Sequence, residues 1–337
     1  MALLDSMPRV RRSFGPRRLA AALSLVIISN GIFPANASAT WPERPVHVVV
    51  PWGGGSLADL VPRIIFDRVS RRIGQSVVIE NRPGAGGTIG AAIVAQSNPD
   101  GYLLLVNSNA EVNAPLFYPR LSYDPARDLV PIALLATYPD ALVVASSTHI
   151  ATVEQFVRVA KARKDGLTFA AFGAGSAAYM GAERFRLAAK YDAVQVPFKG
   201  APAAIREVME GRVDFCFCGV GTSLPFIRDG KLTALAVSTP VRSPLLPNVP
   251  TTVEAGFPDS DYTPWIGLFA PARTPPDVIQ RLHDTVVATL GEPDVREKLA
   301  AIGTEAAVMS TAEFEALAER DFALSKRLVE ALAPKPR

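Results

Sequence analysis

The sequence predicts an α/β protein with two sheets, each flanked by helices. Two observations carry this prediction. Short apolar runs of the kind that form buried strands alternate with segments of helical period. The chain has 337 residues, 49% of them apolar, and a chain of this length usually forms more than one hydrophobic core. The chain has no repeat of fixed period and no low-complexity linker, so composition alone does not place a boundary between lobes.

The first alternating unit lies between residues 46 and 106. Val46 to Val50 have the pattern of a buried strand, which Pro51 ends. Residues 59–73 repeat apolar side chains on one helical face and predict an amphipathic helix. A strand at 77–80, a helix at 88–96 and a strand at 103–106 complete the unit.

The alternation resumes at residue 168. Because alternating strands and helices favour parallel sheets covered on both faces, we expect a second sheet of this kind. Its predicted strands are 168–172, 194–197, 213–217 and 232–237, and its predicted helices are 178–190 and 203–210. A helical tail follows, with helices at 276–290, 294–302 and 311–332.

Residues 1–39 have the features of a secretory leader. Five arginines precede an apolar run from Leu19 to Ile28, and small residues follow at Ala37-Ser38-Ala39, which predicts cleavage near Ala39. Ten residues would span about 15 Å as a helix, roughly half of a hydrocarbon core, which favours a signal segment over an anchor. Arg11-Arg12-Ser13-Phe14 resembles a twin-arginine export signal, and the general export route stays open as well.

The net charge of +3 belongs mainly to the leader. Cleavage after Ala39 leaves 298 of the 337 residues and removes five arginines and Asp5, which changes the charge by −4, to −1. A nearly neutral protein lacks the positive field that holds a phosphate backbone, so nucleic acid is excluded as a partner.

Three glycine-containing loops follow predicted strands and open predicted helices. They are residues 52–56, residues 82–88 and residues 173–176. The first N–H groups of a helix lack partners within it, so an anion is the expected guest at each loop. The alternative for the first loop is a tight turn without a ligand, and the alternative for the third is a helix cap by Ser176. Gly90 comes one residue late for a dinucleotide fingerprint and no Lys-Ser/Thr pair follows, so nucleotide binding is not indicated.

Several side chains near these loops have both a structural and a ligand-binding interpretation. For Asp59 the pattern favours stabilisation of its own helix over contact with a ligand. Ser176 either caps its helix or binds the ligand, and Trp52 either forms a wall of the site or packs in the core. Lys199 and Arg82 are expected at the surface.

Metal and catalytic sites are not indicated. The three histidines lack the spacing of metal ligands, and the sequence predicts neither a metal nor a cofactor. Cys216 and Cys218 are expected to be two reduced, buried thiols, with a disulfide as the alternative. The motifs of common hydrolases are missing, so we expect no enzyme; a hydrolase using Ser176 with a histidine is a remote alternative.

The chain after the leader resembles the Bug family, the periplasmic solute-binding receptors of tripartite tricarboxylate transporters. Ordered matches extend over nearly all of it, and the most specific is the stretch from Glu80 to Gly87 with Gly90. The other matches are Trp41-Pro42 with Arg44-Pro45, Val50-Pro51-Trp52 with Asp59 and Arg63, Pro99 to Tyr102, Tyr123-Asp124-Pro125, Val196 to Gly200, Gly230-Lys231-Leu232, Pro247 to Pro250 with Glu254-Ala255-Gly256, and Leu268 to Ala272.

The resemblance implies a two-lobed, Venus-flytrap fold of the type II periplasmic binding class, each lobe a sheet flanked by helices. Lobe 1 would combine residues 41–141 and 267–337 and lobe 2 residues 142–266, joined by extended segments near Val143 and Gly267. A small organic carboxylate would be held in the cleft between them. The implied ligand-binding residues are Trp52, Gly53, Gly54, Gly55, Ser56, Ala58, Asp59, Ala85, Gly86, Gly87, Thr88, Ser108, Asn109, Gly175, Ser176, Tyr179 and Cys218, with Gly54, Gly86 and Ser176 as the main candidates.

The expected function is therefore that of an exported, monomeric receptor that delivers the carboxylate to a membrane permease. A protein that signals its liganded state to a membrane regulator is the alternative. The chain departs from the family pattern at Ser56-Leu57-Ala58, Tyr179 and Cys218, where relatives usually carry more polar residues. These departures favour a ligand with a less polar far end, an aromatic or short aliphatic carboxylate rather than citrate or an acidic amino acid.

Overall fold

A computed structural model describes residues 41–333; the predicted leader and its cleavage site near Ala39 lie outside them. The strands are β1 (Val46–Val50), β2 (Val77–Asn81), β3 (Leu103–Ser108), β4 (Leu129–Thr137), β5 (Asp140–Ala145), β6 (Leu167–Ala171), β7 (Ala193–Pro197), β8 (Phe215–Gly219), β9 (Leu232–Val237), β10 (Trp265–Pro271) and β11 (Glu305–Ala306). The helices are α1 (Leu57–Ile73), α2 (Thr88–Ala95), α3 (Ala110–Phe117), α4 (Pro125–Asp128), α5 (Val153–Ala162), α6 (Ala177–Ala189), α7 (Ala201–Met209), α8 (Val220–Arg228), α9 (Pro276–Leu290), α10 (Pro293–Ala301) and α11 (Thr311–Leu332).

The first sheet has the strand order β11-β4-β10-β3-β1-β2. Strand β1 has four valines and one partly buried histidine, His47, and both of its faces pack against core. Val48 and Val50 belong to the core that α1 and α9 cover, whereas Val49 faces the core that α2 and α11 cover. We call this sheet and the helices packed on it lobe 1.

The second sheet has the order β7-β6-β8-β5-β9 and is also covered on both faces. Aromatic side chains of β6 and β8 pack with Phe156 of α5 and Phe185 of α6 on one face. Ile205 of α7 and Leu224 of α8 belong to the core on the other. We call this sheet and its helices lobe 2.

Both sheets are mixed, so the expectation of parallel sheets was wrong; at the edge of the first sheet β11 pairs antiparallel with β4. Strand β5 pairs antiparallel with β8 and β9, and β10 pairs antiparallel with β3 and β4. These are the strands on which the chain enters each lobe from the other. Because it enters at the edge where the parallel strands end, it must run in the opposite direction.

The chain passes between the sheets twice, at residues 138–139 and 238–264. The two crossings are bonded to each other: the Tyr138 N–H donates to the Pro264 carbonyl at 3.1 Å, and the Asp140 N–H donates to the Ser238 hydroxyl at 3.1 Å. The predicted bounds of the lobes, residues 142 and 267, stay a prediction. Helix α11 begins on the core of lobe 1 and ends with Leu328 packed near Met180 of α6.

Cys216 and Cys218 form a disulfide, so the expectation of reduced thiols was wrong. Alternate residues of a strand point to the same face, and the two Cα atoms lie 5.7 Å apart, which is within the range that a disulfide bridges. Both side chains are fully buried in the core between β8 and helices α7 and α8.

Candidate ligand-binding site between the lobes

A small cavity of about 40 Å³ lies between the two lobes. One water molecule needs roughly 10–15 Å³ of such a cavity, so there is room for about three waters or for the polar head of a small ligand. The residues that line it are Trp52, Ser56, Leu57, Ala58 and Ser108 from lobe 1, Phe172, Ser176, Ala177, Gly200, Ala201, Gly219 and Thr222 from lobe 2, and Tyr138 and Asp140 at the first crossing.

Four helix N-termini meet at this cavity. The residues that precede the first turn of α1, α6, α7 and α8 are Ser56, Ser176, Gly200 and Gly219, and all four line the cavity. One helix comes from lobe 1 and three come from lobe 2. The N–H groups of a first helical turn lack partners within the helix, and each terminus favours an anion by roughly 0.3–1 kcal/mol, about 2 when partly buried. The arrangement is suited to hold one small anion.

The side chains around the cavity do not supply positive charge. Among the described residues that line it, none is lysine or arginine, and Asp140 is the one carboxylic acid. Lys199 is exposed and lies outside the cavity, as expected. An anion in this cavity would therefore meet main-chain dipoles and no basic side chain.

The first glycine loop, residues 53–55, closes the cleft rather than lining the cavity. The Gly53 N–H donates to the Lys199 carbonyl across the lobes at 3.2 Å, and the Gly55 N–H donates to the Asp59 Oδ2 atom at 2.9 Å. Gly54 and Gly55 are exposed. Of the residues predicted in this loop, Trp52, Ser56 and Ala58 reach the cavity, and the glycines do not.

Asp59 is a structural residue, in agreement with the favoured interpretation. Its Oδ1 atom accepts hydrogen bonds from Arg63 and Asn81, each at 2.9 Å, and its side chain is buried. Burial alone would raise the pKa of Asp59, but these hydrogen bonds and the one from Gly55 outweigh burial and lower the pKa. With its acceptors in use, this carboxylate fixes the start of α1.

The second glycine loop, residues 84–88, also lies outside the cavity. Ala85, Gly86 and Gly87 line a larger outer groove of about 620 Å³, and the Thr88 hydroxyl donates to the Ala85 carbonyl. Gly86 packs against lobe 2: a β-carbon on Gly173 would lie 2.8 Å from the Gly86 Cα atom. This loop, like the first, contributes to the contact between the lobes.

The third loop, residues 173–176, supplies the N-terminus of α6. The Ser176 hydroxyl donates to the Gly173 carbonyl at 2.7 Å and accepts from the N–H groups of Phe172 and Tyr179. Ser176 therefore caps the helix, which was one of its two interpretations, while it also lines the cavity. The Gly175 carbonyl accepts a hydrogen bond from Asn113 of α3 at 3.2 Å, a further contact between the lobes.

Three other predicted residues are not in the cavity. The Asn109 side chain donates to Asp321 and accepts from the Trp265 N–H, which ties α3 to β10 and α11. Tyr179 packs edge-on against Phe117, outside the cavity. Cys218 is buried in its disulfide, and the next residue, Gly219, lines the cavity instead. Ser108 is at the cavity, as predicted.

The sequence reasoning missed Tyr138, Asp140, Phe172 and Thr222. The predicted site consisted of glycine-containing loops that join a strand to a helix, whereas Asp140 is the first residue of an antiparallel strand. The available signal was Pro139-Asp140 directly before the apolar run 141–145. Asp140 pairs with Gly219, the last residue of β8, and so lies at the same edge of the sheet as the helix N-termini.

Aromatic side chains separate the cavity from the outer groove. Trp52 and Phe172 line both spaces. The indole of Trp52 is held in place, since its Nε1–H donates to the Asn107 Oδ1 atom at 2.8 Å. If the head of a ligand fills the cavity, the rest of the ligand would extend out of the cavity between these two rings.

Neither a metal cluster nor a membrane span is found in residues 41–333. No three His, Cys, Asp or Glu side chains in this part of the chain are placed to hold a metal ion. No helix in the same range has the length and apolar character to cross a bilayer.

Comparisons with known proteins point in one direction. A family described as "Tripartite tricarboxylate transporter family receptor" matches residues 61–333. Protein BugT of Bordetella pertussis is 33% identical over 291 residues, which are 85% of this chain and 88% of BugT.

Two solved structures give the same picture. Rpa4515 of R. palustris, solved with adipate, is 32% identical with a TM-score of 0.83 and covers 86% of this chain and 97% of its own. MatC of Rhodopseudomonas palustris, solved with bound malate, is 32% identical with a TM-score of 0.81 and covers 86% of this chain and 99% of its own. The two-lobed α/β fold predicted from the sequence is confirmed by these likenesses.

Proposed function

Because the chain belongs to the family of tripartite tricarboxylate transporter receptors, we propose that it captures a small organic carboxylate between its lobes and delivers it to a membrane permease. It is exported to the periplasm, with the leader removed near Ala39, and acts there as a monomer without catalysing a reaction. The family is one of transport receptors, which favours a permease as the partner over the alternative of a membrane regulator.

The convergence of four helix N-termini carries the proposal. The ends of α1, α6, α7 and α8 surround one cavity, and none of the side chains there is basic. The unpaired N–H groups bind the carboxylate oxygens, and the dipoles of the helices offset the charge. Because α1 belongs to one lobe and the other three helices to the second, the anion joins the lobes and stabilises the closed cleft.

The lining of the two spaces supports a ligand with an apolar far end. The carboxylate head occupies the cavity, and the rest of the molecule passes between Trp52 and Phe172 towards the outer groove, where Phe198 and Pro197 continue the apolar surface. Aromatic and short aliphatic carboxylates match this path better than citrate or an acidic amino acid. The ligands seen in the two solved relatives, adipate and malate, are likewise carboxylates.

Titration calorimetry of the mature protein tests the proposal. The panel contains benzoate, hexanoate, adipate, malate, citrate and glutamate. A variant, Ala201→Asp, places a carboxylate at the buried N-terminus of α7 inside the cavity, where it occupies the anion's place and repels any other anion. Its matched control, Ala151→Asp, places the same group at the exposed start of α5 in the same lobe.

We expect at least one carboxylate of the panel to bind wild-type protein and the control alike, and Ala201→Asp to weaken that binding about 100-fold or more, or about 2.7 kcal/mol. Thermal unfolding of both variants checks that they are folded. Failure of all six compounds to bind, or equal binding by Ala201→Asp, would contradict the proposed function. Growth on the bound compound after deletion of the gene, measured beside transcription, then separates a transport role from a sensing role.

A further inference from the structure

Asp140 is a buried acid that faces the same cavity as the helix N-termini. It lines the cavity and only 3% of its surface is exposed. Its main chain is bonded on both sides, since its N–H donates to the Ser238 hydroxyl and its carbonyl accepts from the Ser238 N–H at 2.8 Å. Within residues 41–333 the Oδ2 atom of its carboxyl group has no hydrogen-bond partner. A buried polar atom left in this way costs free energy unless a ligand completes it.

The groups around Asp140 do not stabilise a negative charge by pairing with it. Tyr138 lies two residues before it, and Tyr262 of the second crossing interacts electrostatically with both Asp140 and Asp321 of α11. The four helices at the cavity contribute no ionisable side chain to its lining. Burial raises the pKa of Asp140 well above its ordinary value, and burial followed by the charge of Asp140 raises the pKa of Tyr138.

The proposed ligand brings a negative charge into the cavity that Asp140 lines. If Asp140 were ionised beside a bound carboxylate, two like charges would share a space of about 40 Å³. If Asp140 is protonated, its O–H becomes a donor and the ligand oxygen is the acceptor that the buried group lacks. A hydrogen bond between an acid and a carboxylate is of the strong, charge-assisted kind.

We propose that Asp140 is protonated in the liganded protein and donates a hydrogen bond to the ligand's carboxylate. Above the pKa of Asp140 in the free protein, binding takes up one proton from the buffer, and the affinity falls as the pH rises. This inference rests on the proposed function and adds to it that the site selects carboxylates over ligands whose ammonium group would pair with an ionised Asp140.

Calorimetry from about pH 5 to 9 tests this with the six compounds used above and two variants of Asp140. Asp140→Asn keeps a donor, its amide N–H, which does not titrate. Asp140→Leu has similar bulk and no donor. For wild-type protein we expect constant affinity at low pH and a loss approaching tenfold per pH unit once Asp140 of the free protein ionises. For Asp140→Asn we expect affinity within about threefold of the low-pH wild-type value at every pH, and for Asp140→Leu a loss of about tenfold or more.

The outcomes separate the two proposals. If none of the six compounds binds wild-type protein, the proposed function fails and this inference fails with it. If a carboxylate binds wild-type and Asp140→Asn with the same dependence on pH, the proposed function stands and the role of Asp140 is refuted. If affinity rises with pH and Asp140→Asn abolishes binding, the proposed function again stands and the role of Asp140 as a donor is refuted, because Asp140 would then act as an anion. Thermal unfolding of both variants ensures that a loss of binding is not a loss of the fold.

Discussion

The contact between Gly173 and Gly86 predicts that a single methyl group prevents the lobes from closing. A β-carbon on Gly173 would lie 2.8 Å from the Gly86 Cα atom and 2.9 Å from the Tyr118 hydroxyl. Ordinary contacts of a β-carbon are 3.4 Å or longer, so the lobes of Gly173→Ala must move apart by about 0.6 Å or more at this point. Both neighbours belong to lobe 1 and Gly173 to lobe 2, so the clash arises only on closing.

The expected cost follows from the contacts that such a displacement breaks. The hydrogen bonds from Gly53 to Lys199 and from Asn113 to Gly175 join the lobes on either side of this contact. Each contributes about 0.5–1.5 kcal/mol, so losing both costs about 1–3 kcal/mol of the closed state. Because the ligand is held only between closed lobes, its affinity should fall by the same amount, about 5- to 150-fold.

The measurement is titration calorimetry with whichever carboxylate of the panel binds wild-type protein, together with small-angle scattering with and without that compound. Gly211→Ala is the matched control, since Gly211 also has a positive φ of 70° in lobe 2 but would place its β-carbon in open space. Both substitutions strain the backbone, and only Gly173→Ala should lose affinity and stay extended when ligand is present. Equal affinities of the two variants would refute the reasoning, because the effect would then come from strain and not from blocked closure.

Three further predictions concern two buried carboxyl groups of lobe 1 and Trp52 at the cavity. Asp59→Asn should lower the free energy of unfolding by about 1–3 kcal/mol at neutral pH. Because the pKa of Asp59 is lowered in the folded protein, urea titrations should show this difference shrinking as the pH falls below about 4. The control Asp67→Asn, at an exposed position of the same helix, should change the free energy of unfolding by less than about 0.5 kcal/mol. Burial raises the pKa of Glu111 to about 7, so wild-type stability should fall by on the order of 3 kcal/mol more than that of Glu111→Gln as the pH rises from about 4.5 through 7; equal slopes would contradict the assignment. Trp52 lines the cavity, so Trp52→Phe should abolish the change in tryptophan fluorescence on ligand binding while calorimetry still detects binding; a change that persists would mean that another tryptophan reports it.

The sequence predicts the strands that are apolar on both faces and the helices that are apolar on one. The bounds of β1 are the predicted ones, and α1 begins two residues before the predicted start at residue 59. The strands that carry the chain between lobes could not be predicted in the same way. Residues near 143 and 267 were expected only as extended joins, yet they lie in β5 and β10. The direction of these strands depends on contacts between distant parts of the chain, which local periodicity does not contain.

The candidate site shows the same division. The start of α1 and the start of α6 were predicted to hold an anion from local rules, and both line the cavity. The starts of α7 and α8 were not: Gly200 is a single glycine, and the pair Gly219 and Gly221 at the end of β8 was not predicted to be an anion-binding loop. Asp140 was missed for another reason: a residue before an antiparallel strand reaches the cavity only once that strand has entered the sheet from the cleft.

The placement of the glycine loops separates closure from selectivity in this protein. Gly53, Gly86 and Gly173 contact the opposite lobe through main-chain atoms, which have the same chemistry whatever ligand is bound. The helix N-termini are also main-chain groups and distinguish an anion from a neutral molecule but not one carboxylate from another. Selectivity must therefore come from the few side chains that face the ligand. In the proposed complex Asp140 contacts the charged head that all carboxylates share, whereas Trp52 and Phe172 contact the part that leaves the cavity. Substitutions of Trp52 and Phe172 should therefore change which carboxylate binds, whereas substitutions in the glycine loops should weaken all of them together.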